Sequence, residues 1–340
     1  MTSDNLKVAI ASVLASSSAL TLLERVDRHK PNLLRVLAYH RVDEPNRRAE
    51  RLAPWLISAT PAHFARQMQY LARHYRVLSA QEVVGKLNAG QEIPSRAVLI
   101  TFDDGYRDFA EQAWPIMRRL NLPVTVFIAT AYPDDPSRIF WWDRLYQGLR
   151  HARRTSISIN GVGELPLTDQ GEWIIAFKQV RKHLLSQNDQ VTDLVDQLVA
   201  TLCVTARRGD ALLNWDEIRQ LAAEGVTFAA HTRTHPFLSR LTPSQVHEEV
   251  SGALADLALE LAPPLPILCY PDGHPDTFSD DVMDVLRQLG IVAAFTMIRG
   301  INQIGKVSPL ALRRLGVSLS GSMSTFRFSL TSARDRLRGE

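Results

Sequence analysis

The chain has 340 residues, of which 45% are hydrophobic, so it can bury a large core; this length suits an α/β barrel with insertions. Its 39 basic and 36 acidic residues give a formal net charge of +3, and no segment resembles a nucleic-acid-binding module. Cys203 and Cys269 are the only cysteines, both in apolar surroundings, which predicts buried free thiols and implies no disulfide framework.

The amino-terminal residues 1–32 are predicted to form a helical segment. Residues 8–23 are apolar, but the polar leader carries mixed charges and no cleavage site follows, so the stretch is a poor secretory signal. It is also shorter than a membrane span. We expect an amphipathic or packed helix, with peripheral membrane contact as the minority interpretation. A cytoplasmic protein is therefore expected, with membrane association or export as alternatives.

From residue 33 to residue 330 the pattern predicts one α/β domain, a distorted (β/α) barrel of seven or eight units. The alternation of strands and helices favours parallel strands joined by right-handed crossovers. Residues 131–212 break the alternation, and we interpret them as a helical insertion that caps the barrel mouth. Trp141 and Trp142 there are either a sugar-stacking surface or packing residues. Predicted strands are 33–42, 75–79, 97–102, 124–130, 226–230, 266–270, 291–297 and 312–319, and predicted helices are 63–75, 80–88, 107–120, 215–224, 243–262 and 279–289.

Two adjacent carboxylates, Asp103 and Asp104, follow the buried strand 97–102 and precede Gly105. Carboxylates at the carboxyl end of a buried strand are costly to desolvate, and that end is where α/β folds place their chemistry. One carboxylate can bind a cation while its neighbour acts as a base. The alternative is a simple turn, for which this sequence is also suited.

The predicted strand 226–230 is likewise followed by residues that can bind a metal, His231 and His235. Two imidazoles four residues apart, with a carboxylate from another strand end, make a three-ligand site that leaves room for water, as a catalytic metal requires. A histidine pair without such a carboxylate would more often be a surface feature.

Together, the segments Thr101-Phe102-Asp103-Asp104-Gly105 and His231-Thr232-Arg233-Thr234-His235 resemble the first two motifs of the polysaccharide deacetylase family, also called the NodB-homology or carbohydrate esterase family 4 group. Residue type and resemblance agree on Asp104, His231 and His235 as metal ligands. Zinc is the first choice, with cobalt, nickel and iron left open. Asp103 would then be the general base that takes a proton from water.

The acid that protonates the departing amine has a different expected source. Many relatives carry a histidine near the carboxyl terminus, but no histidine follows His274 here. The chain resembles instead the circularly permuted branch, similar to the enzymes that deacetylate poly-N-acetylglucosamine, in which a Tyr-His pair ends the first strand. That pair is Tyr39-His40 here, so the resemblance implies His40 as the acid. Without it, a structural histidine would be the more common interpretation.

A third segment, Cys269-Tyr270-Pro271-Asp272-Gly273, resembles the family motif that forms one wall of the groove. A backbone N–H of this turn is a candidate donor to the oxyanion, and Asp272 is interpreted as a turn residue. Arg314 is either an ion-pair partner that keeps Asp103 ionised or a surface residue. The candidate substrate-binding residues are Tyr270, Pro271, Asp272, Gly273 and Tyr106.

The sequence therefore predicts a metal-dependent hydrolase that removes N-acetyl groups from a sugar in a polysaccharide, glycan or lipid-linked precursor. The same machinery would also suit an O-acetyl ester or a non-sugar amide. A glycan-binding protein without turnover is the third interpretation.

Overall fold

The structure is a computed structural model that describes residues 18–27, 29–186, 191–206 and 209–333. The chain divides into two compact units. The first comprises the described parts of Met1–Glu44, Ile57–Pro133 and Leu213–Glu340, and the second comprises Pro45–Leu56 and the described parts of Asp134–Leu212.

Seven parallel strands close into a barrel in the first unit, which confirms the predicted fold class. The order around the ring is β1, β5, β6, β9, β10, β11, β13 and back to β1. The ring is distorted at β5, because β4 pairs with its beginning and β6 with its end. In chain order the strands are β1 (Leu33–Tyr39), β2 (Arg41–Val42), β3 (Ile57–Ala59), β4 (Arg76–Leu78), β5 (Ala97–Phe102), β6 (Thr125–Ile128), β7 (Ser156–Ile159), β8 (Gly163–Pro166), β9 (Thr227–Ala230), β10 (Ile267–Cys269), β11 (Ala293–Arg299), β12 (Asn302–Gln303) and β13 (Leu312–Gly316).

Alternate residues of each barrel strand face opposite sides of the sheet, as strand geometry requires. Val98 and Ile100 of β5 pack in a core cluster with the surrounding helices, whereas Leu99 packs in a second cluster that includes Leu312 of β13. Because Thr101 has the parity of Leu99, and Arg314 that of Leu312, both side chains point to the inner side of the barrel. The inner side therefore carries polar groups toward the carboxyl ends of the strands.

The helices begin at identifiable caps. Ser79, Asn214 and Thr242 each accept a hydrogen bond from the third residue of the helix that follows, in reciprocal capping boxes. A π-helical turn, Phe109–Ala113, precedes α4. The helices are α1 (Ser18–Asp27), α2 (Pro61–His74), α3 (Ala80–Asn88), α4 (Trp114–Arg119), α5 (Trp141–Arg150), α6 (Gln170–Ser186), α7 (Val191–Thr201), α8 (Trp215–Ala223), α9 (Pro243–Glu260), α10 (Asp280–Gln288) and α11 (Met323–Ser329).

Of the predicted amino-terminal helical segment, residues 18–27 form α1 and residues 29–32 are not helical; residues 1–17 and 28 of that prediction lie outside the described residues. Leu20 packs with Phe328 of α11, and the Asp27 carboxylate accepts hydrogen bonds from Lys30 and Ser332. Among the described residues, no helix has the length and apolarity that crossing a membrane requires.

The second unit contains α5, α6, α7 and the hairpin β7–β8. Trp141 is buried and Trp142 stacks on Phe140 with ring centroids 4.6 Å apart, which favours the packing role for these tryptophans. The predicted capping of the barrel mouth stays a prediction. The expectation of two buried thiols was wrong for Cys203, which is exposed because it lies in the turn after α7 with φ of 56°; Cys269 is buried.

Candidate active site

The carboxyl ends of the barrel strands carry the predicted site residues. Strand β1 is followed by His40, β5 by the two aspartates, and β9 by the segment 231–235, which we call the histidine loop. Because parallel strands all end at the same rim of a barrel, these residues meet although they are far apart in the chain.

Asp104, His231 and His235 come together with their ligating atoms within 4.8 Å of one another. The Asp104 Oδ1 atom lies 3.5 Å from His231 Nε2 and 3.6 Å from His235 Nε2. The two imidazole rings are nearly perpendicular, with centroids 4.7 Å apart. One carboxylate oxygen and two imidazole nitrogens form the donor set of a divalent transition metal, so these residues fit the predicted metal.

The second ring nitrogen of His231 fixes the tautomer of that side chain. Nδ1 lies 2.8 Å from the carbonyl oxygen of Cys269, which can only accept a hydrogen bond. Nδ1 therefore carries a proton, and in the neutral imidazole the free lone pair is on Nε2, the nitrogen that faces Asp104. This is the usual support of a metal-binding histidine.

Two of the three side chains have the protonation state that a metal requires, and His231 does not. Burial alone would lower the pKa of His231, but its neighbours Cys269, Asp104 and Asp103 outweigh burial and raise that pKa, so metal binding at His231 requires the loss of a proton. Burial, together with the charge of His231, lowers the pKa of His235 to about 3, so His235 is neutral at pH 7. Burial alone would raise the pKa of Asp104, but the neighbouring histidines outweigh it and lower that pKa, which keeps the carboxylate ionised. Neutral imidazole and ionised carboxylate are the protonation states in which these groups bind metals.

The backbone is strained at these motifs. Asp104, Thr232, His235 and Asp272 all have positive φ, at 72°, 62°, 63° and 59°. Non-glycine residues rarely adopt this region, and such strain persists only where surrounding structure holds it. Within the histidine loop, the His235 N–H donates to Thr232 Oγ1 over 3.1 Å.

Asp103 is held by a two-pronged ion pair with Arg314. The Arg314 guanidinium donates to Oδ1 over 2.8 Å and to Oδ2 over 2.7 Å, and its Nε donates to the Thr296 carbonyl over 2.8 Å. Both side chains are almost completely buried, at 2% and 1% exposed, which excludes the surface alternative for Arg314. Burial alone would raise the pKa of Asp103, but Arg314 holds it well below its usual range.

His40 lies beside Asp103 but is more accessible. Its Nε2 is 3.9 Å from Asp103 Oδ2, and its side chain is 27% exposed. The His40 backbone N–H donates to Ser58 Oγ over 3.1 Å, which fixes the position of the strand end. The preceding Tyr39 is fully buried, with its hydroxyl 2.9 Å from Gln67 Oε1, so His40 alone of the pair reaches the site.

The third predicted segment contributes differently from expectation. The Tyr270 side chain is buried: it stacks on Phe278 and donates its hydroxyl to the Leu310 carbonyl over 2.8 Å. The Tyr270 and Gly273 N–H groups donate to the carbonyls of Phe295 and Pro271, so neither is the predicted oxyanion donor.

Of the other predicted substrate-binding residues, Tyr106 is 1% exposed beneath the Arg41 guanidinium, and Pro271 is buried. Neither side chain is therefore presented to a substrate. Asp272 is half-buried in a left-handed turn. At Gly273, a Cβ would lie 2.7 Å from Met297 N, so this position requires glycine for close packing on β11.

Sequence reasoning missed two carboxylates behind the histidine loop, Glu249 and Asp256 of α9. Glu249 accepts hydrogen bonds from the Arg233 and Thr234 backbone, and Asp256 accepts from the Arg233 side chain. Acidic residues on a helix normally indicate a solvated face. The available signal was Gly252 between them, because glycine inside a helix often has a packing reason.

The chain is similar to known proteins in sequence and in fold. The polysaccharide deacetylase family model matches residues 90–155 and 189–294, just over half of the chain. The Bacillus subtilis protein YxkH, named as a polysaccharide deacetylase, is 27% identical over 104 residues; the match covers 30% of this chain and 34% of that protein, so it spans about a third of the relative's length.

Solved structures share the fold. A Streptococcus pyogenes deacetylase, PplD, in complex with acetate is 18% identical with a TM-score of 0.60, covering 88% of this chain and 99% of that one. IcaB from Ammonifex degensii is also 18% identical, with a TM-score of 0.55 and coverage of 89% and 97%. A de-N-acetylase from Aggregatibacter actinomycetemcomitans is 17% identical, with a TM-score of 0.55 and coverage of 87% and 99%. At these identities the likeness is one of fold.

Proposed function

The chain belongs to the polysaccharide deacetylase family of hydrolases, and we propose that it is a metal-dependent enzyme that removes N-acetyl groups from an N-acetylated sugar in a polysaccharide or glycan precursor. The observation that carries this proposal is the convergence of Asp104, His231 and His235 beside the ion-paired Asp103. A metal-ligand set next to a separate carboxylate base is what hydrolysis of an unactivated amide requires.

Asp104, His231 and His235 would hold the metal, and we propose zinc as the resident ion. When bound, such a cation supplies Lewis acidity that polarises a carbonyl and makes water more acidic. The protein's own part is to hold two imidazoles and one ionised carboxylate within 4.8 Å of one another, with the imidazole of His235 already neutral.

Asp103 acts in this proposal as the general base. Arg314 donates a hydrogen bond to each oxygen of the Asp103 carboxylate from the inner side of the barrel. The carboxylate therefore stays ionised and is held in one orientation. Each oxygen retains a second lone pair that can accept a proton from water. The ion pair also lowers the basicity of Asp103, so the base suits water that is already acidic.

His40 acts as the general acid that protonates the departing amine. Its Nε2 atom lies 3.9 Å from the Asp103 carboxylate. The proposed general base and general acid are therefore close enough to act on the same bound substrate. Its greater exposure suits a group that must meet both solvent and the leaving group.

The choice of an N-acetylated sugar is supported by the names of the structural relatives. Acetate, the product that the proposal requires, is bound in the S. pyogenes deacetylase, and the A. actinomycetemcomitans protein is called a de-N-acetylase. Because the metal and base act on the acyl group, hydrolysis of an O-acetyl ester or a non-sugar amide is the alternative that the assay must separate.

The test is acetate release by the zinc-loaded protein and by Asp103→Asn. We expect the parent to release acetate from oligomers of poly-N-acetylglucosamine, and the variant to lose about 10²- to 10⁴-fold in rate, the usual contribution of a general base. Binding of the oligomer should survive. A parent that cleaves only an O-acetylated oligosaccharide would overturn the N-deacetylase assignment, and equal rates for parent and variant would remove Asp103 from the reaction.

A further inference from the structure

The histidine loop stays in a strained conformation that its own sequence does not explain. Thr232 and His235 both have positive φ, and neither is glycine. Positive φ is energetically unfavourable for such residues, and contacts from the surrounding structure must offset that cost. Within the loop, the His235 N–H donates to Thr232 Oγ1, a single hydrogen bond to a neutral group.

Glu249 of α9 supplies contacts from outside the loop. Its Oε2 accepts the backbone N–H of Arg233 over 2.9 Å and that of Thr234 over 2.8 Å, and its Oε1 accepts the Thr234 hydroxyl over 2.6 Å. One carboxylate therefore binds two consecutive N–H groups between the two histidines. Hydrogen bonds to an ionised carboxylate are roughly twice as strong as neutral ones.

The same face of α9 binds the loop a second time. The Asp256 carboxylate accepts from Arg233 Nε over 3.0 Å and from Thr130 Oγ1 over 2.7 Å, while the Thr130 N–H donates to the Thr232 carbonyl over 3.2 Å. Gly252 lies between the two carboxylates on this face. A Cβ at position 252 would lie 3.0 Å from Arg233 Cδ. Because glycine has no Cβ, the Arg233 side chain has room to lie along the helix.

We propose that Glu249 is the positioning residue of the metal site: it holds the backbone between His231 and His235 so that both imidazoles face Asp104 before a metal arrives. This inference deepens the proposed function and depends on it. Glu249 touches neither metal nor substrate. Its effect is on the entropy and strain that metal binding must otherwise overcome.

The test measures zinc affinity of the metal-free protein by competition with a chromophoric chelator. Glu249→Ala should bind zinc about 10- to 100-fold more weakly, the range observed when outer residues of a metal site are removed. The visible absorption spectrum of the cobalt-loaded variant should also change, because a loosened loop alters the ligand geometry. A purely structural role would leave that spectrum unchanged.

Two variants control the interpretation. Glu249→Gln keeps one oxygen for the two backbone N–H groups and can donate its amide to Thr234, so zinc affinity should return to within a few-fold of the parent. Glu248→Ala removes an exposed carboxylate one residue away and should have no effect. Circular dichroism would establish that each variant is folded.

The outcomes separate the two proposals. A parent that binds no zinc overturns the proposed function together with the role of Glu249. A parent that binds zinc, beside a folded Glu249→Ala that binds it equally tightly with the same cobalt spectrum, overturns the positioning role alone.

Discussion

The two segments that build the site are held in opposite ways. Residues 103–105 are fixed from the inner side of the barrel, where Arg314 binds Asp103 through charge in a fully buried setting. The histidine loop is fixed from outside, where half-buried Glu249 binds backbone N–H groups. Both arrangements use a carboxylate, but its partner differs.

This difference determines what each arrangement should cost when it is removed. A buried ion pair contributes only modestly to folding stability. Removing one partner is strongly destabilising, because the remaining charge is then buried without water and without a counterion. A helix carboxylate that binds an accessible loop can be replaced by water. We therefore expect perturbation on the inner side to reduce folding stability and perturbation on the outer side to reduce metal affinity.

The largest expected effect is that of Arg314→Met. The substitution leaves the Asp103 carboxylate buried without its counterion, which should cost about 3–5 kcal/mol in the free energy of unfolding. Urea denaturation of the metal-free protein would measure it. Deacetylation should also be lost, because Asp103 would no longer be held ionised in one orientation.

A paired variant tests whether the isolated charge is the cause. In Asp103→Leu/Arg314→Met both charges are gone, so stability should return toward that of the parent although activity stays absent. If the double variant is as unstable as Arg314→Met, the loss arises from packing around the guanidinium and not from the charge left behind.

The next effect in size is that of His235→Ala on the metal site. The parent should bind about one equivalent of zinc per chain, and the variant should retain far less after the same dialysis, because three-ligand sites lose most of their affinity with one ligand. Metal content by elemental analysis would measure this. His247→Ala, an exposed histidine on α9, is the matched control and should keep the metal. Zinc retained equally by both variants would contradict the predicted ligand set.

The sequence was informative where a residue's role follows from its place at a strand end. The metal ligands and the base could be placed together from the sequence, because they follow strands of recognisable pattern and parallel strands end on the same face of the barrel. These residues are Asp103, Asp104, His231 and His235. Arg314 was left between an ion pair and the surface, since its partner lies 211 positions away and only the closed barrel brings the two together. Long-range partners of this kind have no local signal.

Side-chain direction was the part that sequence reasoning could not supply. Tyr270 follows a strand just as His231 does, yet its ring packs on Phe278 in the core cluster shared with the surrounding helices, because backbone direction after the strand decides what faces the groove. The hairpin β7–β8 was missed for another reason. Its turn contains Asn160-Gly161, a strong hairpin signal, but the surrounding insertion was interpreted from its helices alone.

The smallest expected effect is that of Gly252→Ala, and it is a sensitive test of the outer arrangement. Alanine favours a helix over glycine by about 1 kcal/mol, but here its Cβ would meet Arg233 Cδ at 3.0 Å, so the arginine must shift by a few tenths of an ångström. We expect these two effects on thermal stability to offset each other, while zinc affinity falls a few-fold because the ion pair between Arg233 and Asp256 is loosened.

The matched control is Gly85→Ala in α3, where a Cβ meets nothing within 4 Å. This variant should gain thermal stability from its helix without any change in zinc affinity. If Gly252→Ala gains stability like Gly85→Ala and keeps the parent's zinc affinity, then the position of Arg233 along α9 does not matter to the metal site, and the outer arrangement reduces to the bonds made by Glu249.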